Sequence, residues 1–472
     1  MFTDTSFPAD LRMIGQIDSP IPSNLTFLRA EEFLDKVKLY EGGIEATDIQ
    51  QGMLGDCYFL ASLASLAEFP KRIERLIRSL GNCKYEVTYY YMGKKQVIEI
   101  DDLIPCSEKK PIFSHNNGNE LWVILLEKAY AKVVGNYGLI EGGIPFLSLS
   151  DLTGMPVKRI TTKNIDPEKL FKKIASYDKK KYCMVANVPD VPGVDLEKEW
   201  GLVENHAYTV IGAYQTGGQK LLKIRNPWGC CEWKGKWRDD DPAWTFLMKK
   251  ELGVVKADDG IYFMDVADFV RFFDEMTVVY YKEAWDEFNS IDVNMTDKQM
   301  EINVELKGDA IVSLSQQRTD DKIALRMWAI DSKGLPVGGE TEETFVIASN
   351  IAGKKMKVKE GNYRIIVETH QSCVSSLPYK LTLSIRSSNE ITFGEVKAIP
   401  QNEKMSYCTT KQAKDADKCK ACGLPLPAKG IAKTKIGSFH LKCFKCDVCG
   451  AQLGGKFGLK GTKKLCPNCV NK

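Results

Sequence analysis

Leu60, Leu63 and Leu66 recur at helical spacing between Gly55 and Pro70, and the proline closes the run. A second, mostly buried helix is predicted over 121–132, LWVILLEKAYAK. Beyond Gly142-Gly143 the pattern changes to strands. His206, Tyr208 and Val210 alternate with Ala207, Thr209 and Ile211, and 220–226 forms another strand, broken by Pro227 and Gly229. Residues 290–390 carry four or more runs of period two. Met300, Ile302, Val304 and Leu306 make one; Ile323, Leu325 and Met327 another; then Tyr363, Ile365 and Val367; then Leu381, Leu383 and Ile385. With Gly and Asp turns between them, these runs predict an antiparallel β-sandwich. Residues 396–418 are polar and aperiodic and read as a linker, and a Cys-rich module begins at Cys419. The fold class is multidomain α+β.

The length of 472 residues suggests about three domains at roughly 100–200 residues each. At 44% hydrophobic and 27% charged, the chain can bury large cores, which argues against disorder throughout. No apolar run approaches the roughly 18 residues of a membrane span, and the N-terminal segment lacks the basic start and apolar stretch of a secretory signal. The net charge of +3 conceals an asymmetry. Fourteen lysines and three aspartates make 411–472 +11, leaving −8 for the rest. That opposition allows the tail to dock on the body. Fifteen cysteines without a secretion signal suggest a reducing compartment, the cytoplasm, where Cys clusters mean metal or catalysis.

Seven of the cysteines lie between Cys419 and Cys469. Their spacing is Cys419-x2-Cys422-x17-His440-x2-Cys443-x2-Cys446-x2-Cys449-x16-Cys466-x2-Cys469. Eight ligands suffice for two tetrahedral zinc sites, since each Cys-x2-Cys knuckle aims two sulfurs at one ion. The order resembles the LIM domain. That resemblance implies sequential sites, Cys419, Cys422, His440 and Cys443 first, then Cys446, Cys449, Cys466 and Cys469. It also implies two structural Zn2+ and a protein partner, with a cytoskeletal one in view. The lysines of the tail are dispersed and no recognition-helix motif accompanies them, so no nucleic-acid partner is expected.

Gln51-Gly-Met-Leu-Gly-Asp-Cys57 leads into the first helix. A Cys at a helix N-terminus meets the positive end of the dipole, which favours the nucleophilic thiolate. Gln51 offers an amide donor that could form an oxyanion hole with the Cys57 N–H. Of four histidines, His440 belongs to the zinc pattern, His115 to a turn-like surface segment and His370 to the predicted sandwich. His206 remains, 149 residues after Cys57 and within the roughly 130–150 of papain-like proteases. Alone, a strand histidine is as readily a satisfied core residue. Asn226 can accept from the imidazole, and Trp228 can shield that bond.

Residues 51–61 (QGMLGDCYFLA), 125–132 (LLEKAYAK), 201–208 (GLVENHAY) and 224–229 (IRNPWG) resemble the calpain protease core. The departure is Tyr58, where that family usually has Trp. The resemblance implies a papain-like pair of lobes, a mainly helical one over 1–140 and a strand-rich one over 141–285. A β-sandwich over 286–395 and a linker over 396–418 follow, then the LIM module over 419–472. It implies a cysteine endopeptidase acting on protein substrates through Cys57, His206 and Asn226, with Gln51 in the oxyanion hole and Trp228 beside the triad. It also implies calcium activation. Asp48 matches one site and Glu232, Asp239 and Asp259 the other. Hydrophobic residues after Gly142-Gly143, and Ile261, replace a charged ligand in each, which points to weak calcium binding or another route of activation. No EF-hand loop occurs in the sequence, so dimerisation through EF-hands is not expected. The alternatives are a catalytically silent LIM-containing adaptor and a thiol acyltransferase.

Overall fold

The computed structural model describes residues 1–316, 323–333, 350–356, 361–400, 421, 431–434, 437–453, 457–460 and 463–470. The chain divides into two units, Met1–Glu283 and Ala284–Lys472. No helix among the described residues is long and apolar enough to cross a membrane.

In the first unit, the helix Cys57–Ala67 is buried almost all round, which its Leu, Ala and Ser composition permits. Phe59 stacks on Tyr130 of the helix Trp122–Val134 with ring centroids 4.4 Å apart, and the Tyr130 helix is itself buried over Trp122–Ala131. The first 140 residues hold strands besides their helices. Three small antiparallel sheets accompany the helices: Thr26–Leu28 with Ile104–Ser107 and Lys110–Pro111; Ile77–Gly81 with Lys84–Tyr89 and Gln96–Asp101; and Ile49–Gln50 with His115–Asn116. His115 is therefore half-buried in a strand pair rather than in a surface turn. Pro70 also does more than close a helix. It occupies the first turn of the next one, Pro70–Glu74, where its missing N–H costs nothing.

The later part of this unit is one six-stranded antiparallel sheet. Its order is Ile261–Asp265, Gln219–Arg225, His206–Thr216, Cys183–Val188, Glu275–Val279, Val157–Thr161. Alternation along His206–Thr216 sends Tyr208 and Val210 into a core with Ile224, Tyr262 and Phe269. Thr209, of opposite parity, donates to the carbonyl of Ala61 in the Cys57 helix at 2.8 Å. The Cys183 thiol donates to the Ser65 carbonyl of the same helix at 3.2 Å. The pleat thus presents one face to a core and the other to the Cys57 helix.

The second unit contains two four-stranded antiparallel sheets. One runs Glu287–Met295, Tyr379–Ser387, Ala310–Gln316, Asn350–Met356; the other Leu325–Asp331, Gly361–Thr369, Gln299–Leu306, Ile391–Ala398. Every period-two residue named above, from Met300 to Ile385, lies in the core they share. The linker reading over 396–418 falls largely outside the described residues, which resume at 421. The Cys-rich module has its own small core of Phe439, Phe444, Leu453 and Leu465 with Cys446 and Cys466.

Gly52 has no room for a side chain. A Cβ there would lie 1.9 Å from the Phe113 carbonyl oxygen, backbone that cannot swing aside. Gly52→Ala should therefore displace the loop leading to Cys57 and destabilise the first unit by about 1–3 kcal/mol, the usual range for overpacking. Thermal unfolding checks this; an unchanged melting temperature would contradict it.

Candidate active site

Three segments of the first unit converge. The Cys57 helix brings the thiol, the start of the strand His206–Thr216 brings the imidazole, and the end of Gln219–Arg225 brings Asn226. His206 and Asn226 are buried and Cys57 is half-buried. The Cys57 sulfur lies beside the Ala207 backbone amide, one residue from the imidazole. Among the described residues no hydrogen bond joins Cys57 to His206 directly.

His206 Nε2 and Asn226 Oδ1 are 2.8 Å apart. Which way the Asn226 amide faces is settled by its other partners. Its Oδ1 also accepts from the Trp228 amide at 3.1 Å, and its Nδ2 donates to the Cys231 carbonyl at 3.1 Å. An oxygen therefore faces the ring, so Nε2 carries the proton and Nδ1 keeps the basic lone pair. Asn226 is held by its backbone as well. Its N–H donates to the Gly260 carbonyl at 2.8 Å, and a Cβ on Gly260 would sit 2.7 Å from the Asn226 carbonyl oxygen. Trp228 packs over the imidazole at 4.9 Å between centroids, and Tyr208 meets it edge-on at 5.0 Å.

Electrostatics at the site depart from the sequence expectation. Burial pushes the Cys57 thiol up to about 11, although the Ala207 amide pulls the other way. Burial pulls His206 down to about 4, against the bond to Asn226. Desolvation outweighs the helix dipole, so the resting pair is neutral thiol and neutral imidazole. Gln51 also differs. Its Nε2 donates to the Leu54 carbonyl at 2.7 Å rather than standing free, while its backbone N–H reaches the Pro227 carbonyl at 3.2 Å.

A pair of acids missed in the sequence stands at the head of the Cys57 helix. Asp56 is wholly buried, and among the described residues no donor from another residue reaches either of its oxygens. Its neighbour is the buried Glu127 carboxylate, which accepts from the Ser114 amide at 3.0 and 3.2 Å. Burial, then the charge of Glu127, pushes Asp56 well up, and burial pushes Glu127 up to about 7. Two buried carboxyls in contact share a proton, which limits the negative charge next to the sulfur.

The acids considered for calcium fall in two places. Glu232 Oε1 accepts from the amides of Asp259 and Gly260 at 3.0 and 2.9 Å, and Asp239 accepts from the Ala257 amide at 3.3 Å. Burial, then the Asp239 charge, pushes Glu232 up to about 7. Asp48 accepts from the Glu45 amide at 2.7 Å. Its neighbour is Glu120, pushed up to about 7 by burial and accepting from the Glu41 amide at 3.1 Å. Glu120 lies far from Asp48 in sequence, and no local pattern links the two. These carboxyls have the hard-oxygen chemistry calcium takes, with amides already occupying part of it.

In the Cys-rich module, the sulfurs of Cys446, Cys449, Cys466 and Cys469 all lie within 4.8 Å of one another. Cys449 and Cys466 are 3.6 Å apart, close to the edge of a tetrahedron with zinc–sulfur bonds of about 2.3 Å. The Cys449 amide, foremost among several, lowers Cys446 to about 6. Four soft ligands in this arrangement fit zinc. His440 Nδ1 and Cys443 Sγ approach to 3.9 Å; Cys419 and Cys422 lie outside the described residues.

The depressed imidazole has a consequence for stability. Between pH 6.5 and 4 the unfolded chain binds a proton that the folded chain excludes. Stability should therefore fall with pH through this window, by on the order of 3 kcal/mol from His206. His206→Gln should flatten that acid limb in thermal unfolding; identical limbs for variant and wild type would contradict the burial of a neutral ring.

A family profile described as calpain family cysteine protease matches residues 2–280, and one for the LIM domain matches 419–472. Among curated relatives, the calpain-type cysteine protease DEK1 of Zea mays is 32% identical over 290 residues, 57% of this chain and 13% of that protein. Calpain-9 of Mus musculus is 32% identical over 295 residues, 59% of this chain and 42% of the relative. Calpain-12 of Homo sapiens is 32% identical over 295 residues, 59% and 41%. The matched region thus spans well under half the length of each. A solved clostridial cysteine protease, Cwp84, aligns at a TM-score of 0.24 and 10% identity over 72% of this chain and 85% of that one, too weak to carry an argument. The chain belongs to the calpain family of cysteine proteases and carries a LIM domain.

Proposed function

We propose that the chain is a thiol endopeptidase that hydrolyses protein substrates through Cys57, His206 and Asn226. The observation that carries this reading is the 2.8 Å bond from His206 to an Asn226 amide whose orientation is itself fixed. With Nε2 protonated, Nδ1 takes the thiol proton as Cys57 attacks the carbonyl carbon. The oxyanion accepts from the Cys57 N–H and from Gln51, which must turn away from the Leu54 carbonyl to donate. The imidazolium then protonates the leaving amine, and a water deprotonated by His206 hydrolyses the thioester. Trp228 keeps water off the His206–Asn226 bond.

Calcium regulation is part of the proposal. Glu232, Asp239 and Asp259 would hold one ion and Asp48 with Glu120 another. Bound calcium would supply positive charge where neighbouring carboxyls now repel. Glu232 grips the Gly260 amide, and the Gly260 carbonyl holds Asn226, so the acidic loop and the triad share one backbone link. Ile261, standing where the family carries a Glu, removes a ligand and argues for a weak response. In the LIM domain the proposal is two structural zinc ions and a protein-binding role, with a cytoskeletal partner. The proposed setting is the cytoplasm, where a reducing environment keeps thiols free.

A calcium titration of casein cleavage by wild type and Cys57→Ala tests activity and activation together. Wild type should cleave increasingly with calcium, and Cys57→Ala should lose at least about a thousandfold in rate while melting normally. Equal turnover by the two proteins would refute the assignment, and a wild type inert at every calcium level would leave the silent adaptor. Metal analysis should find two zinc ions per chain and one in Cys446→Ser; an unchanged zinc content would count against the four-sulfur site.

A further inference from the structure

Cys230 and Cys231 are adjacent in sequence, and their sulfurs lie 3.5 Å apart. Both are free and half-buried. Cys231 holds φ at 60°, a left-handed conformation uncommon for a residue with a side chain. Its carbonyl accepts the hydrogen bond from Asn226 Nδ2. The Cys230 amide nitrogen lies against Gly260, which holds the Asn226 backbone. The two thiols therefore sit in the loop that orients the third member of the triad.

We propose that Cys230 and Cys231 are an oxidation site, where a hydroperoxide closes a vicinal disulfide that releases Asn226 and switches off cleavage at Cys57. This rests on the thiol-endopeptidase reading above. One sulfur attacks the O–O bond of hydrogen peroxide and becomes a sulfenic acid, and its proton leaves with the departing hydroxide as water. The second sulfur displaces the sulfenic hydroxyl, which takes that thiol's proton and leaves as a second water. Two thiols and one peroxide thus give one disulfide and two waters, sulfur being oxidised and peroxide oxygen reduced.

The geometry makes the bond both reachable and disruptive. The sulfurs need to close from 3.5 Å to about 2.0 Å. Adjacent Cα atoms stand about 3.8 Å apart, below the roughly 4.4–6.8 Å that ordinary disulfides span. The eight-membered ring must be accommodated by twisting the 230–231 peptide and the torsions of Cys231, which moves the carbonyl that anchors Asn226 Nδ2. Once free to rotate, the amide no longer presents Oδ1 to His206 at a fixed angle. Strained disulfides are readily reduced, which makes the switch reversible.

The test treats the full chain with low doses of hydrogen peroxide and reads mass and activity in parallel. The peptide bearing Cys230 and Cys231 should become two hydrogens lighter while Cys57 still alkylates. Casein cleavage should fall at least about tenfold, in kcat more than in KM, and return with dithiothreitol. Cys230→Ser should keep basal activity and resist this reversible loss. Three results would overturn the proposal: no lighter peptide at doses that inactivate, equal inactivation of Cys230→Ser, or a crosslinked enzyme with full activity. An untreated enzyme without activity would instead sink the endopeptidase reading, and the peptide mass would still decide whether the oxidation site exists.

Discussion

The bond between His206 Nε2 and Asn226 Oδ1 assigns the imidazole proton, and the chemistry open to Cys57 depends on that assignment. A side-chain amide alone could face the ring with either end. Here the Trp228 amide and the Cys231 carbonyl select the oxygen, and Gly260 fixes the backbone from which Asn226 projects. The ring is then a base at Nδ1 by construction. The six-stranded sheet supplies the foundation, since Asn226 ends one strand and His206 begins its neighbour. Its opposite face holds the Cys57 helix through Thr209 and Cys183.

Burial sets the resting state against catalysis. A helix N-terminus stabilises a thiolate by an amount comparable to a single charge interaction, whereas removing water from a sulfur anion costs more. Cys57 and His206 consequently rest neutral, with Gln51 engaged by the Leu54 carbonyl. Three pairs of acids stand in the same unit, Asp56 with Glu127, Glu120 with Asp48, and Glu232 with Asp239, and burial with the neighbour's charge raises one member of each. Such groups respond strongly to added positive charge.

The second unit shows two solutions to stability at different sizes. The sandwich fills the space between its sheets with period-two aliphatic side chains such as Ile302, Ile365 and Leu383. Among its described residues the LIM domain buries Phe439, Phe444, Leu453 and Leu465 beside a cluster of four sulfurs. In modules this small, metal binding can supply folding energy on the order of 10 kcal/mol per site.

Much of this was legible in the linear sequence because periodicity and spacing are local quantities. The helix at Cys57, the alternation from Met300 to Ile385 and the Cys-x2-Cys knuckles each follow from residues near one another in the chain. The many short strands before residue 140 escaped, because two to six residues carry too few positions to display a period. Glu120 beside Asp48 and Glu127 beside Asp56 also escaped, since each pair spans about seventy residues of sequence. The sequence by itself determined which chemical groups exist and which faces of each element are apolar. Only the tertiary structure decided which of those groups lose water together, and the cost of that desolvation, a property of the surroundings and not of the residue, sets the charge on the sulfur and on the imidazole.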